Sequence, residues 1–192
     1  MNLPNKLTLA RLGLTAAFVA VLSIPGIPAK FSIGTVLFVI ASITDYLDGY
    51  LARKHGLVTD FGKLMDPLAD KILTGSVFIV LSTLGAVPAW VTIVIIAREF
   101  LVTGLRLLAT AEGAVLAADN LGKWKTVIQI VTATYFLVQL GYGETVLSGL
   151  ANVIGLGAPI AIGWILLTAS VGLTLVSGFS YAWKNRELIR DY

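Results

Sequence analysis

The sequence predicts an all-α membrane protein with six transmembrane helices. Of its 192 residues, 57% are hydrophobic and 13% are charged, whereas about 25% of the residues of a soluble domain are charged. The mean hydropathy is +0.88, and the apolar residues gather in six segments suited to crossing about 30 Å of hydrocarbon. No connection is long enough to separate two soluble domains, so we expect one domain over residues 1–192.

Turn-forming residues separate the six predicted helices. Pro25 and Gly26 follow the first, Gly85 follows the third, and glycines mark both ends of the fifth connection. We expect Gly62 to support a bend in the second connection, and Pro67 to occupy the first turn of the third helix, where its missing amide is tolerated. The predicted helices cover residues 7–24, 31–53, 67–84, 88–109, 125–140 and 159–183.

The basic residues predict how the helices are oriented. Lys and Arg gather at both termini and in the second and fourth connections, whereas the other three connections together contain one cation, Lys30. Cytoplasmic loops are enriched in Lys and Arg, so both termini are expected in the cytoplasm. The net charge of +3 then reflects the membrane surface. No basic stripe interleaved with aromatic residues points to a nucleic-acid partner.

Four aspartates lie at helical spacing on either side of the second connection. Asp45 and Asp48 are three residues apart near the end of the second helix, and Asp66 and Asp70 are four apart on the third. Each pair therefore shares a helix face. Carboxylates this close repel one another unless a cation lies between them. The chain has no cysteine and one histidine, so hard oxygen ligands favour Mg²⁺ or Mn²⁺, and four can hold two ions.

Two alternatives to a metal site remain open for these aspartates. They could be interfacial charges paired with neighbouring basic residues, or part of a proton or metal-ion pathway through the membrane. A transporter would need polar groups that continue towards the outer face, and Glu99 is the one acidic residue deep in the remaining helices.

The aspartates belong to a longer motif that resembles a known family. The run D-x-x-D-G-x-x-A-R, eight further residues and then G-x-x-x-D-x-x-x-D is similar to the signature of the CDP-alcohol phosphotransferases. All eight motif positions are present: Asp45, Asp48, Gly49, Ala52, Arg53, Gly62, Asp66 and Asp70. The resemblance extends over nearly the whole chain and implies six helices around an active-site cavity that faces the cytoplasm.

The resemblance implies the roles of the motif residues. Two divalent ions assist the transfer of a substituted phosphate from a CDP-alcohol to a hydroxyl group, with release of CMP. Asp45, Asp48 and Asp66 are the implied metal ligands, and Asp70 is the implied general base and a further ligand. The lipid substrate is expected at Asp45, Gly49, Ala52, Arg53 and Gly62. The family also implies a homodimer.

Other segments are similar to the family members that use glycerol 3-phosphate as acceptor. They are N-x-x-T-x-x-R at Asn5, Thr8 and Arg11, then D-P-L-A-D-K, R-E-F and G-K-W-K-T. Cations would suit a phosphorylated acceptor, and we expect a phosphate cradle of Arg98, Arg106, Lys123 and Lys125. For Asn5, Thr8 and Arg11, helix capping and an arginine that reaches the membrane surface are favoured over a site role. Glu99 either joins the site or forms an internal ion pair with Arg98.

The resulting prediction is an enzyme of the bacterial cytoplasmic membrane. It transfers the phosphatidyl group of CDP-diacylglycerol to glycerol 3-phosphate by direct attack of the acceptor hydroxyl, giving phosphatidylglycerophosphate and CMP. Inositol phosphate, serine and phosphatidylglycerol stay open as alternative acceptors. A purely structural membrane protein is disfavoured because it leaves four buried carboxylates unexplained.

Overall fold

The computed structural model describes residues 3–55, 60–111, 120–142, 144 and 160–186. These residues form six α-helices and no strand, so the all-α prediction is confirmed. In chain order the helices are α1 (Leu3–Ser23), α2 (Lys30–His55), α3 (Asp60–Thr83), α4 (Ala89–Ala111), α5 (Asn120–Leu140) and α6 (Ile160–Lys184).

Two helices of the described chain are long and apolar enough to be candidate membrane spans. They cover Asn5–Ser23 in α1 and Ala161–Lys184 in α6. The described residues contain the predicted number of helices, whereas the crossing of a membrane by all six, around a central cavity, stays a prediction.

The start of α3 differs from the prediction. The helix begins at Asp60, so Gly62 lies within its first turn rather than in a connecting bend, and Pro67 lies inside the helix. An interior proline costs about 3 kcal/mol of helix stability, which is why propensity moved the predicted start to Pro67. A contact with another helix favours the longer α3: Thr8 of α1 donates a hydrogen bond to Asp66, one residue before the proline.

Glycines with positive φ lie in the turns after α1 and α3, where the sequence predicted turns. Gly26 has φ +84° and Gly85 has φ +74°, values at which a side chain would be strained. At the end of α3 the Gly85 amide donates to the Ser82 carbonyl at 3.0 Å, and the Ala86 amide donates to the Leu81 carbonyl at 2.9 Å. This pair of hydrogen bonds is a Schellman motif, which satisfies carbonyls that the helix leaves open.

The chain divides into two compact units. The first consists of Met1–Val87 and Ala133–Pro159, and the second of Pro88–Thr132 and Ile160–Tyr192.

In the first unit α1 packs against α2 and α3, with the rings of Phe18 and Phe38 5.9 Å apart. A side chain at Gly34 would lie 3.0 Å from Leu22, so this glycine permits the close approach of α2 to α1.

The second unit combines α4, α6 and the first part of α5. Val102 and Leu105 of α4 pack against Tyr181 of α6 in a buried apolar cluster. A polar contact joins α5 to α6: the Gln129 side-chain amide donates a hydrogen bond to the Thr174 hydroxyl at 3.0 Å. Hydrogen bonds between helices are well suited to an apolar environment that offers no water as an alternative partner.

In the first unit, Glu144 holds the beginning of α2. Its carboxylate accepts hydrogen bonds from the Phe31 amide at 3.1 Å and from the Ser32 amide and hydroxyl, each at 2.7 Å. The first amides of a helix have no partner within the helix, and an anion there is also favoured by the helix dipole. Burial raises the pKa of Glu144, but these hydrogen bonds and the charge of Lys30 outweigh it, and the pKa is lowered.

A lowered pKa predicts an acid-sensitive contribution to stability. The Glu144 carboxylate stabilises the folded protein at pH values above its ordinary pKa of 4.5, and this contribution is lost as the pH falls through the lower pKa of the folded state. E144Q replaces the charged cap of α2, and with allowance for solvent screening at this partly exposed side chain it should reduce the free energy of unfolding by about 1 kcal/mol or less at pH 7. Thermal unfolding of both proteins between pH 7 and pH 3 would measure it. The difference should shrink towards pH 3, and a constant difference would contradict the assignment.

Candidate functional site

One face of α1 carries a buried polar stripe. Asn5, Thr8, Arg11 and Thr15 are buried in spite of their polarity, with Thr8 and Arg11 fully so. The spacing of three and four residues puts them on one side of the helix. The favoured interpretation of Arg11 as a side chain reaching the membrane surface is therefore wrong, because packing of α2 and α3 on this side of α1 encloses it.

The polar face of α1 contacts one aspartate of each predicted pair. Arg11 donates to Asp45 of α2 in a salt bridge whose arginine is fully buried. Thr8 donates to Asp66 of α3 at 2.5 Å. Thr8 and Arg11 are three residues apart, or about 4.5 Å along the helix axis. The structure therefore brings Asp45 and Asp66, distant in sequence, to a single turn of α1.

These carboxylates have the chemistry that a hard divalent cation requires. The Asp45 side chain remains 38% exposed beside the buried Arg11, and Asp66 and Asp70 are partly buried. Among the described side chains, no group of three or more acidic, histidine or cysteine residues is close enough to form a metal site by itself. The side chains of five motif residues on α2 and α3 lie outside the described set: Asp48, Gly49, Ala52, Arg53 and Gly62.

In the second unit, two cations share one carboxylate. Lys125 of α5 forms an ion pair with Glu99 of α4, and the Arg98 guanidinium lies 3.3 Å from the same carboxylate oxygen. The side chains of Arg98, Glu99 and Lys125 are 12%, 14% and 4% exposed, respectively. Arg98 also donates to the Ser177 hydroxyl of α6 at 3.1 Å. The sequence analysis left Glu99 either as a site residue or as an ion-pair partner of Arg98. In the structure its carboxylate contacts both buried cations, Arg98 and Lys125.

The predicted cradle of four cations separates into a buried and an exposed pair. Arg98 is largely buried and Lys125 fully so, whereas Arg106 and Lys123 are exposed. Lys123 and Lys125 differ because residues two apart point to opposite sides of a helix. Arg106, eight residues after Arg98, is rotated by about 80° around α4. The sequence identified the cations but could not separate them by burial.

Several polar residues at these sites were not predicted from the sequence. Ser177 contacts Arg98, and Thr174 contacts Gln129, all within the second unit. They belong to a buried face of α6 that includes Ser170, Thr174, Ser177 and Tyr181, at spacings of four, three and four residues. Polar side chains at helical spacing in an otherwise apolar helix are a signal that could have revealed this face. Glu144, in a connection, offered no comparable pattern.

Comparison with known proteins agrees with the carboxylate motif. A family model described as CDP-alcohol phosphatidyltransferase matches residues 1–176. A Bacillus subtilis protein named CDP-diacylglycerol–glycerol-3-phosphate 3-phosphatidyltransferase is 42% identical over 200 residues, covering 98% of this chain and 97% of that protein. A Rickettsia bellii protein of the same name is 39% identical, with 94% and 93% covered. A Mycobacterium tuberculosis protein named probable phosphatidylglycerophosphate synthase is 38% identical, with 94% and 79% covered.

The hydrogen bond from Thr8 predicts a difference between two conservative substitutions. T8V keeps the shape of the side chain but leaves the partly buried Asp66 carboxylate without this donor, and should reduce the free energy of unfolding by about 1–2 kcal/mol. T8S keeps the hydroxyl and should remain close to the parent. Thermal unfolding in detergent would compare them. T83V is a matched control, because Thr83 is exposed and its hydroxyl bonds to its own helix. Equal losses for T8V and T8S would contradict a role for the hydroxyl.

Proposed function

We propose that this chain, which belongs to the CDP-alcohol phosphatidyltransferase family, transfers the phosphatidyl group of CDP-diacylglycerol to sn-glycerol 3-phosphate. The products are phosphatidylglycerophosphate and CMP. Membership in this family makes the chain an enzyme, which sets aside the transporter and the purely structural membrane protein. Relatives named for this reaction that match 94–98% of the chain support the choice of substrates.

The observation that carries the choice of acceptor is the burial of Arg98 and Lys125 against a shared carboxylate. Arg98 keeps a buried Nε–H group without a hydrogen-bond partner among the described residues. Phosphate oxygens are strong acceptors for guanidinium and ammonium donors. A neutral acceptor such as serine would supply no such charge. Inositol phosphate would, and it is disfavoured by the names of the relatives rather than by charge.

Arg106 and Lys123 have a different part in this proposal. Both are exposed, and exposed cations raise the local concentration of an anionic substrate and speed its association. Arg98 and Lys125 then bind the acceptor phosphate directly. Glu99 holds these two side chains in place and keeps their burial tolerable, because an uncompensated buried charge is strongly destabilising.

The carboxylates of the first unit form the proposed metal centre. The family depends on divalent metal, and Asp45, Asp48, Asp66 and Asp70 are the proposed ligands of two Mg²⁺ or Mn²⁺ ions. Bound ions would neutralise the diphosphate of the lipid substrate and favour departure of CMP. The Asp45, Asp66 and Asp70 side chains are each partly exposed. This partial exposure supports the role, because a metal ion must be able to reach the carboxylate oxygens. The CDP-diacylglycerol contacts are assigned to Asp45, Gly49, Ala52, Arg53 and Gly62.

Asp70 is the proposed general base. Its carboxylate takes the proton of the acceptor hydroxyl as that oxygen forms a bond to the phosphorus bearing diacylglycerol. The bond from this phosphorus to the CMP oxygen breaks, and CMP leaves with the bonding electrons. Arg11 and Thr8 support the step by holding Asp45 and Asp66 next to one turn of α1. Asp45 and Asp66 then serve as metal ligands, and Asp70 accepts the proton.

We assign the protein to the bacterial cytoplasmic membrane, with six spans, and with both termini and the active site on the cytoplasmic side. Large apolar side chains that are exposed on every described helix support embedding in lipid. Examples are Ile43 on α2 at 52%, Ile79 on α3 at 52%, Ile93 on α4 at 65%, Val127 on α5 at 49% and Phe179 on α6 at 70%. Such surfaces are unusual on soluble monomers. A single domain and a homodimer stay predictions.

The choice of acceptor is tested by a panel of acceptors. Purified protein with CDP-diacylglycerol and Mg²⁺ or Mn²⁺ would be given glycerol 3-phosphate, inositol phosphate, serine or phosphatidylglycerol, and CMP release measured. We expect the fastest release with glycerol 3-phosphate, because the buried cations suit a phosphorylated acceptor and the relatives are named for this one. Formation of phosphatidylglycerophosphate should match CMP release. Faster turnover with another member of the panel would overturn the assignment.

The base assignment predicts a large loss of rate in D70N. This change removes the basic oxygen with little change of size, and glycerol-3-phosphate-dependent CMP release should fall by about 10² or more. D60N is a matched control, because Asp60 lies on the same helix outside the motif. Steady-state rates at saturating metal would separate loss of the base from weaker metal binding. A D70N rate near that of the parent would show that another group accepts the proton.

A further inference from the structure

The side chain of Arg98 is held against a small patch of α6. Its Nη2 group donates to the Ser177 hydroxyl at 3.1 Å. The next residue of α6, Gly178, lies directly beside the aliphatic part of the same side chain, because a Cβ atom at Gly178 would be 3.0 Å from Arg98 Cγ. Both α6 residues are buried. One residue therefore binds the end of the arginine, and its neighbour leaves room for the stem.

These contacts use part of the hydrogen-bonding capacity of the Arg98 guanidinium. Nη1 lies 3.3 Å from Glu99 and Nη2 is bound to Ser177, whereas Nε is buried without a partner among the described residues. A buried donor without a partner costs about 1–3 kcal/mol, a cost that an anionic ligand would remove. The α6 contacts thus turn a flexible arginine into one with a defined orientation and an unused donor.

The packing of α4 on α6 fixes which residue of α6 lies opposite Arg98. Arg98 meets Ser177, and Val102, one turn further along α4, packs in the same cluster as Tyr181, one turn further along α6. The two helices therefore run in the same direction here. This apolar cluster favours the register that keeps Gly178 opposite Arg98.

We propose that Ser177 and Gly178 are positioning residues that orient Arg98 for recognition of the phosphate of the acceptor. This inference rests on the proposed function, in which Arg98 binds that phosphate. A methyl group at residue 178 would push Arg98 Cγ away and turn the guanidinium from its contacts with Ser177 and Glu99. The affinity for the phosphorylated acceptor would fall, while use of CDP-diacylglycerol would be unaffected.

The test is a kinetic comparison of alanine substitutions at glycines of the second unit, in the purified full-length protein. G178A should raise the KM for glycerol 3-phosphate about tenfold, because small displacements of a binding group cost affinity steeply. Its KM for CDP-diacylglycerol should stay within about twofold of the parent value. G172A is the matched control on the same helix, since a Cβ atom there would meet nothing within 4 Å. G172A should keep both parent values.

Two further variants keep the inference testable if G178A folds poorly. S177A removes the hydroxyl without adding bulk and should raise the KM for glycerol 3-phosphate about threefold. In a double-mutant cycle, G178A should add no further effect to R98A, because the shortened side chain has no Cγ atom to displace. An effect of G178A of equal size with and without Arg98 would overturn the inference, as would parent values of KM in S177A.

The outcomes for the inference and for the proposed function are separate. If the parent protein releases no CMP with glycerol 3-phosphate, the proposed function fails, whatever the variants do. If the parent responds to glycerol 3-phosphate but G178A and S177A match it, the function stands and the positioning role is wrong. A rise in KM for both substrates by the same factor in S177A would indicate a general structural effect and would also overturn it.

Discussion

The buried ion pair between Arg11 and Asp45 is the interaction on which the first unit depends. The arginine side chain is fully buried, and burying a guanidinium without a partner costs several kcal/mol. The helices α1 and α2 must therefore pack with Arg11 opposite Asp45. With α1 so placed, Thr8 meets Asp66 and α3 follows. One requirement of charge burial thus orders three helices and brings two carboxylates of separate helices to one turn.

Burial of charged side chains also organises the second unit, where one carboxylate contacts two cations. A single carboxylate, Glu99, links Arg98 of its own helix to Lys125 of α5, and Arg98 reaches Ser177 of α6. The first unit presents carboxylates that suit divalent cations, and the second presents cations that suit a phosphate. The two kinds of charge correspond to the two needs of the proposed reaction, which are activation of a diphosphate and recognition of an anionic acceptor.

The sequence predicted much of this arrangement, and its errors have a common origin. Six helices and the turns at Gly26 and Gly85 followed from local composition. The start of α3 was misplaced because an interior proline is tolerated only with support from other helices, as Asp66 receives from Thr8. Arg11 was expected at the membrane surface because an arginine near a helix end usually extends there. The roles proposed for Ser177 and Gly178 depend on a neighbouring helix, because the polar spacing along α6 marks a buried face but not the side chain that packs on it.

By itself the sequence determined the helices, the positions of the charged residues along them and the motif of eight fixed positions that resembles the family signature. Each of these depends on spacing within one segment, and helical periodicity converts spacing into a shared face. The tertiary structure decided which charges are buried and which partners they meet: Arg11 with Asp45, Thr8 with Asp66, and Arg98 with Glu99 and Ser177. Periodicity defines a face but not the neighbour that packs on it, because the neighbour is chosen by shape and charge contributed by distant parts of the chain.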